Sequence, residues 1–267
     1  MGLTAIDFSD LYNLLSHHQI SITPYTDQHF SIIILNDSGL ALNLIPLKND
    51  FTPESLLALQ QSYQTQGILL IHLWADVWVS RSQQLLDRIL SLLGLNKRIH
   101  GRKTEAVVVH QTEADDFMDK YHIQGAVKSR HKYALKYQGE FVAMATFSST
   151  RLMTQYQIEH RSVELIRFAT KSGFTIVGGL TKLIAYYRSR HTVHDIMSYA
   201  DRDWSDGKGY TVAGFSLKEI IAPTELWIDR VSMKRYFSHR LPVQSLGQSD
   251  NFIKAFNTGN LKFVLYL

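Results

Sequence analysis

The sequence contains no cysteine among its 267 residues. That absence excludes disulfide bonds, cysteine-ligated zinc sites and thiol nucleophiles. No apolar run approaches the about 20 residues that a membrane-spanning helix needs. The first ten residues, MGLTAIDFSD, carry two acids, lack a basic stretch and lack the hydroxyl residue of a myristoylation signal. We therefore expect a cytoplasmic protein without a membrane partner.

The charges of the chain are nearly balanced, with a formal net charge of +4 and twelve histidines. A mildly basic chain permits a polyanionic partner such as DNA or RNA but does not require one. No second histidine stands at the i, i+4 spacing of metal ligands beside His122, and we expect the pairs His17-His18 and His191/His194 on the surface. The sequence predicts no dedicated metal site and leaves the oligomeric state open.

Hydrophobic periodicity and turn residues predict alternating helices and strands in the first half of the chain. The predicted elements are a helix over 6–17, a hairpin over 30–47, a helix from Thr52 to Gln66, a strand from Gly67, a helix over 78–93, a strand within 98–109 and a helix over 112–121. We place a domain boundary between Gly94 and Gln111, which divides the chain into domains 1–105 and 106–267.

The second half alternates clearly between strands and helices. The predicted elements are a hairpin of 132–137 and 140–148, strands over 162–169 and 174–177, a helix over 180–190, a strand over 195–199, a short helix with Tyr210 and a last strand region opened by Gly214-Phe215. This order predicts a mixed sheet with at least one parallel crossover, in a fold of the α/β (α+β) class.

The segment VELIRFATKSGFTIVGGLTKLIAYY runs from a strand through the pair Gly178-Gly179 into a helix. A helix N-terminus presents unpaired N–H groups and the positive end of a dipole, which suits a phosphate. Glycine also lets a ligand approach the backbone closely. The alternative is a helix start that needs a permissive backbone and binds nothing.

The next segment, SYADRDWSDGKGYTVAGF, ends in the pattern Tyr-x-x-x-Gly-Phe at Tyr210, Gly214 and Phe215. Together with the strand and the glycine-led helix before it, this pattern resembles the end of the GNAT acetyltransferase fold, over roughly residues 126–220. The resemblance implies an acyl-CoA-type donor, acetyl-CoA or another acyl-CoA, and makes Tyr210 the general acid. It places the coenzyme pyrophosphate on the amides of Gly178, Gly179, Leu180 and Thr181.

The match departs from the family loop, which usually reads Gln/Arg-x-x-Gly-x-Gly/Ala. Thr175 stands at the first position of that loop and Leu180 at the last. Lys182, one turn into the helix, either pairs with a phosphate to compensate or is a solvated helix lysine. Ser198 is either a pantetheine contact or an ordinary strand residue.

Two carboxylates near this segment are candidate general bases. Glu164 lies in a predicted central strand, and alternation along the strand places Arg167 on the other face. Asp201 stands at the C-terminal end of a strand, where open α/β sheets tend to place ligands. Either carboxylate could accept the proton of an attacking amine, or could pair with an arginine that holds strands together. Trp204 covers the site, stacks on a base or packs in the core.

A narrower resemblance runs from about Gly67 to Phe215. Its motifs are His122-Ile-Gln124-Gly125, Glu164-Leu-Ile-Arg167-Phe168, Val177-Gly-Gly-Leu-Thr-Lys182-Leu183 and Ser198-Tyr-Ala-Asp201-Arg-Asp-Trp204-Ser205. They are similar to the tails of phage and bacterial proteins related to Vsr-type and Hef-like nucleases, and to Mom-type DNA-modifying proteins that act on adenine. The resemblance implies DNA or RNA as a partner, with contacts from His122, Gln124, Arg151, Arg167, Trp204, Arg102 and Lys103.

The first half resembles a small, degenerate PD-(D/E)XK nuclease of the Vsr type. The segment GILLIHLWADVWVSRSQQLLDRI is similar to the end of that fold. Metal-assisted cleavage needs hard oxygen ligands close together, but Asn43 and Ile32 stand at the two carboxylate positions. We therefore expect no nuclease activity. Three functions stay open: an acyltransferase acting on an amine, including one on a nucleic-acid base, a non-catalytic nucleic-acid-binding protein, or, against this expectation, a nuclease that keeps its activity.

Overall fold

The structure, a computed structural model, describes residues 8–27, 29–35, 38–153, 159–241 and 251–267. The chain forms two compact units, each built from separated stretches of sequence. The first unit comprises Met1–Ser82, Asp201–Asp206 and Ile220–Asn260, and the second comprises Gln83–Ala200, Gly207–Glu219 and Leu261–Leu267. The boundary predicted after residue 105 thus lies inside the second unit.

The first unit begins with the order helix, three strands, helix, strand. Its elements are α1 (Ser9–His17), β1 (Ile22–Asp27), β2 (Phe30–Leu35), β3 (Leu40–Ile45), α2 (Pro53–Thr65), β4 (Leu69–Trp74) and the later strands β14 (Glu225–Asp229), β15 (Arg235–Phe237) and β16 (Phe252–Phe256). One sheet has the order β1-β2-β3-β4 and the other β15-β14-β16. The strands β1 to β3 are antiparallel, and β3 runs parallel to β4.

The sequence predictions for this stretch are largely confirmed. The Thr52 side chain accepts a hydrogen bond from Ser55 N at 3.2 Å, and Pro53 stands in the first turn of α2. The hairpin predicted over 30–47 is β2 and β3. The predicted first helix starts at Ser9, while Ile6, Asp7 and the turn residues 36–37 lie outside the described residues.

The late strands belong to the first unit because they complete its core. Ile228, Met233 and Ala255 are buried in one cluster with Leu56 and Trp74. This cluster explains why residues 220–260 belong to the first unit, although the sequence analysis placed them in the domain 106–267. The cluster joins residues up to Trp74 with residues from Ile228 onward, and hydrophobic periodicity in the sequence does not connect two stretches so far apart.

The second unit is built on a mixed sheet. Its elements are the second part of α3 (Ala75–Leu92), β5 (Lys97–His100), β6 (Glu105–Val108), α4 (Gln111–Tyr121), β7 (His131–Tyr137), β8 (Glu140–Phe147), β9 (Arg151–Leu152), β10 (Arg161–Thr170), β11 (Phe174–Val177), α5 (Gly179–Arg188), β12 (Asp195–Asp201), α6 (Lys208–Val212), β13 (Ser216–Ile221) and β17 (Asn260–Tyr266). The strand order is β13-β17-β12-β10-β8-β7-β6, with β9 on β10. The pair β10–β12 is parallel, which confirms the predicted crossover.

A helix covers each face of this sheet. On β7, Leu135 is buried with α5, whereas its neighbour Ala134 is buried with α4, since alternate strand residues face opposite sides. The α5 residues Leu183, Ile184 and Tyr187 recur at helical spacing, in the helix that the sequence predicted over 180–190. Within the described residues, no helix is long and apolar enough to cross a membrane.

Candidate functional site

The strands β10 and β12 separate after a short parallel contact. Their register pairs Ser162 with Asp195, Val163 with Ile196 and Glu164 with Met197, and no later residues of the two strands pair. Both strands nevertheless continue, β10 to Thr170 and β12 to Asp201. A cleft therefore opens in the sheet toward the C-terminal ends of two parallel strands, the place where open α/β sheets bind ligands.

A β-bulge lies at the start of this opening. The register of β10 with β8 shifts between Leu165 and Arg167, so Ile166 is the extra residue. Leu165 faces α5, and Arg167 is paired with Thr146, whose neighbours Ala145 and Phe147 face α5. Glu164 and Arg167 consequently share the α4 face, so the predicted placement on opposite faces is wrong. The bulge reverses the alternation on which that prediction depended.

Ser198 closes the inner end of the cleft. Its hydroxyl lies 2.8 Å from the Leu165 carbonyl and 2.9 Å from the Tyr210 hydroxyl. A serine hydroxyl has one proton, and the Leu165 carbonyl can only accept. The Ser198 proton can therefore point to the Leu165 carbonyl or to the Tyr210 hydroxyl, and in the second case the phenol directs its own proton elsewhere. The side chain predicted as a pantetheine contact or a strand residue therefore positions the predicted general acid.

The Tyr210 phenol is held in its protonated form. Burial raises its pKa above the usual value, which outweighs the opposing effects of the Ser198 hydrogen bond and of the charges on Arg88 and Arg167. A phenol that stays protonated can donate a proton to a departing anion. The two guanidinium groups favour negative charge at the same place.

Aromatic packing fixes the Tyr210 ring. It stacks on Phe263 with centroids 5.3 Å apart and meets Phe215 edge-on at 5.4 Å. Gly207, the N-cap of α6, has a φ of +81°, and a Cβ there would lie 2.2 Å from the Phe263 ring. Only glycine fits at this position, both for its backbone angle and for the space the ring occupies.

The start of α5 is not capped by any side chain. Gly178 is the N-cap in the left-handed region, with φ 72° and ψ 13°, and makes no side-chain cap bond. The first helical amides are those of Gly179, Leu180 and Thr181, because Lys182 N already bonds to the Gly178 carbonyl. These are three of the four amides that the sequence assigned to a coenzyme pyrophosphate, and the fourth, that of Gly178, belongs to the N-cap residue.

Lys182 is engaged elsewhere. Its ammonium donates to the Gly101 carbonyl at 3.0 Å and to the Thr104 carbonyl. Neither the predicted phosphate pairing nor the solvated alternative describes this arrangement. Lys182 instead fastens the start of α5 to the turn after β5, where a Cβ on Gly101 would lie 3.1 Å from the Val177 carbonyl.

The basic pair Arg102-Lys103 lies on this same turn. Both side chains are exposed, in the short 3₁₀ helix Gly101–Lys103. The strand β5 that leads to them runs parallel to β11, with His100 opposite Val177. These two cations therefore flank the loop that precedes the uncapped amides, rather than lying in a linker. Their predicted contact with nucleic acid stays a prediction.

The predicted loop His122 to Gly125 meets the bulge through Arg167. Arg167 Nε donates to the Gly125 carbonyl at 3.4 Å, and its Nη1 donates to the Ile166 carbonyl at 2.9 Å. Within the loop, His122 Nδ1 accepts from Gln124 N at 3.1 Å. The structure thus brings His122, Gln124 and Arg167 together beside the cleft, while Arg151 is exposed on β9.

Asp201 and Trp204 belong to the first unit. The Asp201 carboxylate accepts from Asp203 N at 3.0 Å in a tight turn. Trp204 is 7% exposed, so core packing describes it and its ring is not offered to a base. Of the two predicted bases, Glu164 is the one that the second unit contains.

The two positions compared with nuclease carboxylates face each other in the first unit. Ile32 and Asn43 are register partners on β2 and β3. Asn43 is buried and its amide lies 3.2 Å from His72 Nδ1, where burial lowers the His72 pKa to about 3. Among the described residues, no group of three potential metal ligands occurs.

Three residues of the site were not found from the sequence. They are Arg88, Thr146 and Phe263. Thr146 is 2% exposed, its hydroxyl has no partner among the described residues, and it lies opposite Arg167. None of the three belongs to a motif, and only strand register and packing bring them to the cleft.

No protein-family model matches the sequence, and no curated protein is similar to it. Solved structures similar to this chain include a GNAT family acetyltransferase from Elizabethkingia anophelis with acetyl-CoA bound, at 14% identity and a TM-score of 0.40, over 62% of this chain and 99% of that one. An IAA acetyltransferase from Bacillus cereus is 13% identical, with a TM-score of 0.37, over 61% and 99%. The ribosomal-protein-S18-alanine N-acetyltransferase from Escherichia coli is 13% identical, with a TM-score of 0.35, over 61% and 93%.

Proposed function

We propose that the second unit transfers an acyl group from an acyl-CoA-type donor, such as acetyl-CoA, to an amine. The observation that carries the proposal is the hydrogen-bonded pair of Ser198 and Tyr210 at the point where β10 and β12 separate. It places a protonated phenol at the inner end of a cleft in the sheet. A phenol so placed serves a reaction that releases an anion there.

The donor fits the cleft from the side of α5. The amides of Gly179, Leu180 and Thr181 have no competing side-chain cap, and a pyrophosphate is the anion that a helix start suits best. Arg102 and Lys103 add positive charge beside the same loop. The acyl arm then lies between the separated strands, toward Tyr210.

The transfer needs two proton movements. Glu164 takes a proton from the attacking amine as its nitrogen bonds to the thioester carbonyl carbon. The carbon–sulfur bond then breaks, and the departing thiolate receives the Tyr210 proton. The charges of Arg88 and Arg167, which lower the Tyr210 pKa, also favour the negative charge on sulfur.

The acceptor side is the face that carries Glu164, Arg167 and the unpartnered Thr146 hydroxyl. Arginine and hydroxyl donors suit an acceptor that carries oxyanions near its amine. This chemistry supports an amine on a nucleic-acid base as the acceptor, with His122 and Gln124 at the margin of the cleft.

The first unit is proposed to have a nuclease-like fold without cleavage activity. Its helix, three strands, helix, strand order and the uncharged pair Ile32 and Asn43 support this. Plasmid DNA incubated with Mg²⁺ should stay supercoiled. Mg²⁺-dependent nicking of the plasmid that persists after contaminating nucleases have been removed would overturn the proposal that the first unit does not cleave DNA.

The test of acyl transfer uses the absence of cysteine, since thiol reagents then detect released coenzyme A without a protein background. The purified protein is titrated calorimetrically with acetyl-CoA and longer acyl-CoAs, and then supplied with a panel of amines that includes nucleotides and oligonucleotides. We expect acyl-CoA binding and amine-dependent thiol release. Tyr210→Phe should lower kcat by about 100-fold or more, the usual contribution of a positioned acid, without weakening donor binding.

A matched control is Tyr199→Phe, which removes an exposed hydroxyl from the neighbouring strand β12. It should leave kcat unchanged. A folded protein that binds none of the acyl-CoAs, or a Tyr210→Phe variant as active as the parent, would refute the proposal.

A further inference from the structure

A cavity of the second unit lies away from the cleft. It has a volume of about 430 Å³ and is lined by Thr150, Leu152, Arg161, Arg190, His191 and Thr192. Arg161 is the first residue of β10, and Thr192 stands just before β12. The cavity thus lies at the N-terminal ends of the two parallel strands, whereas Ser198 lies toward their C-terminal ends.

Arg190 is the best-oriented cation in this cavity. Its guanidinium stacks on the Tyr186 ring, 3.6 Å from the centroid, and its Nη1 donates to the Ser189 hydroxyl at 3.0 Å. No carboxylate pairs with it among the described residues. A stacked guanidinium keeps its remaining N–H donors in a fixed fork, which suits an oxyanion with two or more acceptor oxygens.

Arg161 supplies a second, partly neutralised cation. Its Nε donates to Glu159 at 2.7 Å, and its backbone N–H donates to His194 Nδ1 at 2.9 Å. Leu152 pairs directly with Arg161 across β9 and β10 and is 63% exposed. An apolar side chain beside two arginines offers a surface for a flat group as well as for an anion.

His191 adds a neutral donor. Its Nε2 lies 2.6 Å from the Tyr133 hydroxyl. Burial lowers the His191 pKa and raises the Tyr133 pKa, so the imidazole is neutral and the phenol keeps its proton. The phenol then donates to Nε2, which leaves the imidazole proton on Nδ1. A neutral His191 with this tautomer presents an N–H group.

The neighbouring triplet Ser162, Asp195 and His160 is not a hydrolytic triad. Asp195 accepts hydrogen bonds from both Ser162 and His160, so the carboxylate stands between the hydroxyl and the imidazole. Nucleophilic activation requires the imidazole to contact the hydroxyl. The triplet therefore offers no activated nucleophile beside the cavity.

We propose that this cavity binds the phosphate group of a nucleotide, through Arg190, Arg161 and the hydroxyls of Thr150 and Thr192. A phosphate matches the set of two arginines and two hydroxyls, because all of them donate to oxygen. The cavity is much larger than a phosphate alone, and Leu152 provides an apolar contact for the attached base. The proposal does not depend on acyl transfer.

The experiment measures equilibrium binding of AMP, adenosine, inorganic phosphate and a labelled single-stranded 12-mer to the full chain. No acyl-CoA is added, because coenzyme A carries an adenosine phosphate that would compete for the cavity. The Arg190 variant described below separates binding in this cavity from binding at a donor site. We expect AMP and the 12-mer to bind, adenosine not to bind and inorganic phosphate to compete weakly. If the 12-mer binds more tightly than AMP, the natural ligand is a nucleic-acid strand. If it does not, the natural ligand is a mononucleotide.

Arg190→Ala should weaken binding of AMP by about tenfold or more, which is the loss expected for a charge-assisted hydrogen bond. Arg188→Ala is the matched control, because it removes the same charge from an exposed position on α5 that does not line the cavity. Thr192→Val removes one donor without changing the charge and should weaken binding severalfold.

Circular dichroism verifies that each variant is folded. Equal losses of AMP affinity in Arg188→Ala and Arg190→Ala would overturn the proposal. They would show that AMP responds to the overall positive charge of this surface and not to specific contacts in the cavity. Binding of adenosine as tightly as AMP, or binding of inorganic phosphate alone, would also overturn it.

Discussion

Replacing Ser198 by alanine tests the central geometry of the cleft. The substitution removes the hydroxyl that bonds both the Leu165 carbonyl at 2.8 Å and the Tyr210 hydroxyl at 2.9 Å. Ser198 is 1% exposed, so water does not readily replace the lost partner. A buried carbonyl and a half-buried phenol are left without their hydrogen bonds.

The magnitude follows from those two bonds. Each contributes about 0.5–1.5 kcal/mol net, so the second unit should lose about 1–3 kcal/mol of stability. The Tyr210 phenol would also lose the partner that orients it. We expect kcat to fall by about tenfold, which corresponds to about 1.4 kcal/mol of lost orientation.

The assay combines unfolding with kinetics. All four tryptophans, Trp74, Trp78, Trp204 and Trp227, lie in the first unit, so far-UV circular dichroism rather than tryptophan fluorescence follows the second. Ser149→Ala, at an exposed serine, is the control and should change neither quantity. The dissociation constant of the donor is measured in parallel.

A particular split between binding and turnover would refute the reasoning. If Ser198 acts by positioning Tyr210, kcat falls and donor affinity is kept. Weaker donor binding at an unchanged kcat would mean that the hydroxyl contacts the donor itself. Unchanged stability would mean that the two hydrogen bonds do not form in solution.

Three further changes have defined outcomes. Gly207→Ala should lower thermal stability and kcat, because its Cβ would lie 2.2 Å from the Phe263 ring at a φ of +81°. The control Gly209→Ala, whose Cβ would meet nothing within 4 Å, should leave both quantities unchanged. Equal effects of the two substitutions would contradict the packing argument. Arg235→Met should lower the free energy of unfolding of the first unit in urea by about 3–5 kcal/mol. The substitution leaves the buried Asp76 carboxylate without the arginine that now bonds it at 2.6 and 2.9 Å. Adding Asp76→Leu should recover most of that loss. A double variant no more stable than the single would speak against a buried pair. Burial lowers the His72 pKa to about 3 in the folded protein, so on acidification the unfolded chain binds this proton first. The free energy of unfolding should therefore fall by about 1.4 kcal/mol per pH unit between about pH 6.5 and pH 3. Tryptophan fluorescence during unfolding measures it, and His72→Gln should flatten the slope; an unchanged slope would exclude His72 as its source.

Local signals in the sequence predicted most of the elements. The Thr52-Pro53 helix start, the Gln138-Gly139 turn, with φ of 52° and 84°, and the glycine-led α5 all lie where their residue types place them. These features depend on backbone angles and capping groups within a few residues of one another. Short-range chemistry of that kind is legible without tertiary structure.

What could not be predicted depends on register. The bulge at Ile166 inverts the face of Arg167, and nothing in a run of strand-forming residues marks an extra one. Lys182 was assigned to phosphate because its carbonyl partners at Gly101 and Thr104 lie about eighty positions earlier in the chain. Phe263 supports Tyr210 only because β17 enters the sheet between β12 and β13.

The interleaved path of the chain has a consequence for how the protein is made. The first unit needs residues up to Asn260, and the sheet of the second needs the strand formed by Asn260–Tyr266. Neither unit can therefore complete its native contacts on the ribosome before residues up to Asn260 have emerged. No single cut, whether by a protease, a nonsense codon or a recombination event, can separate the two units, because their segments alternate along the chain.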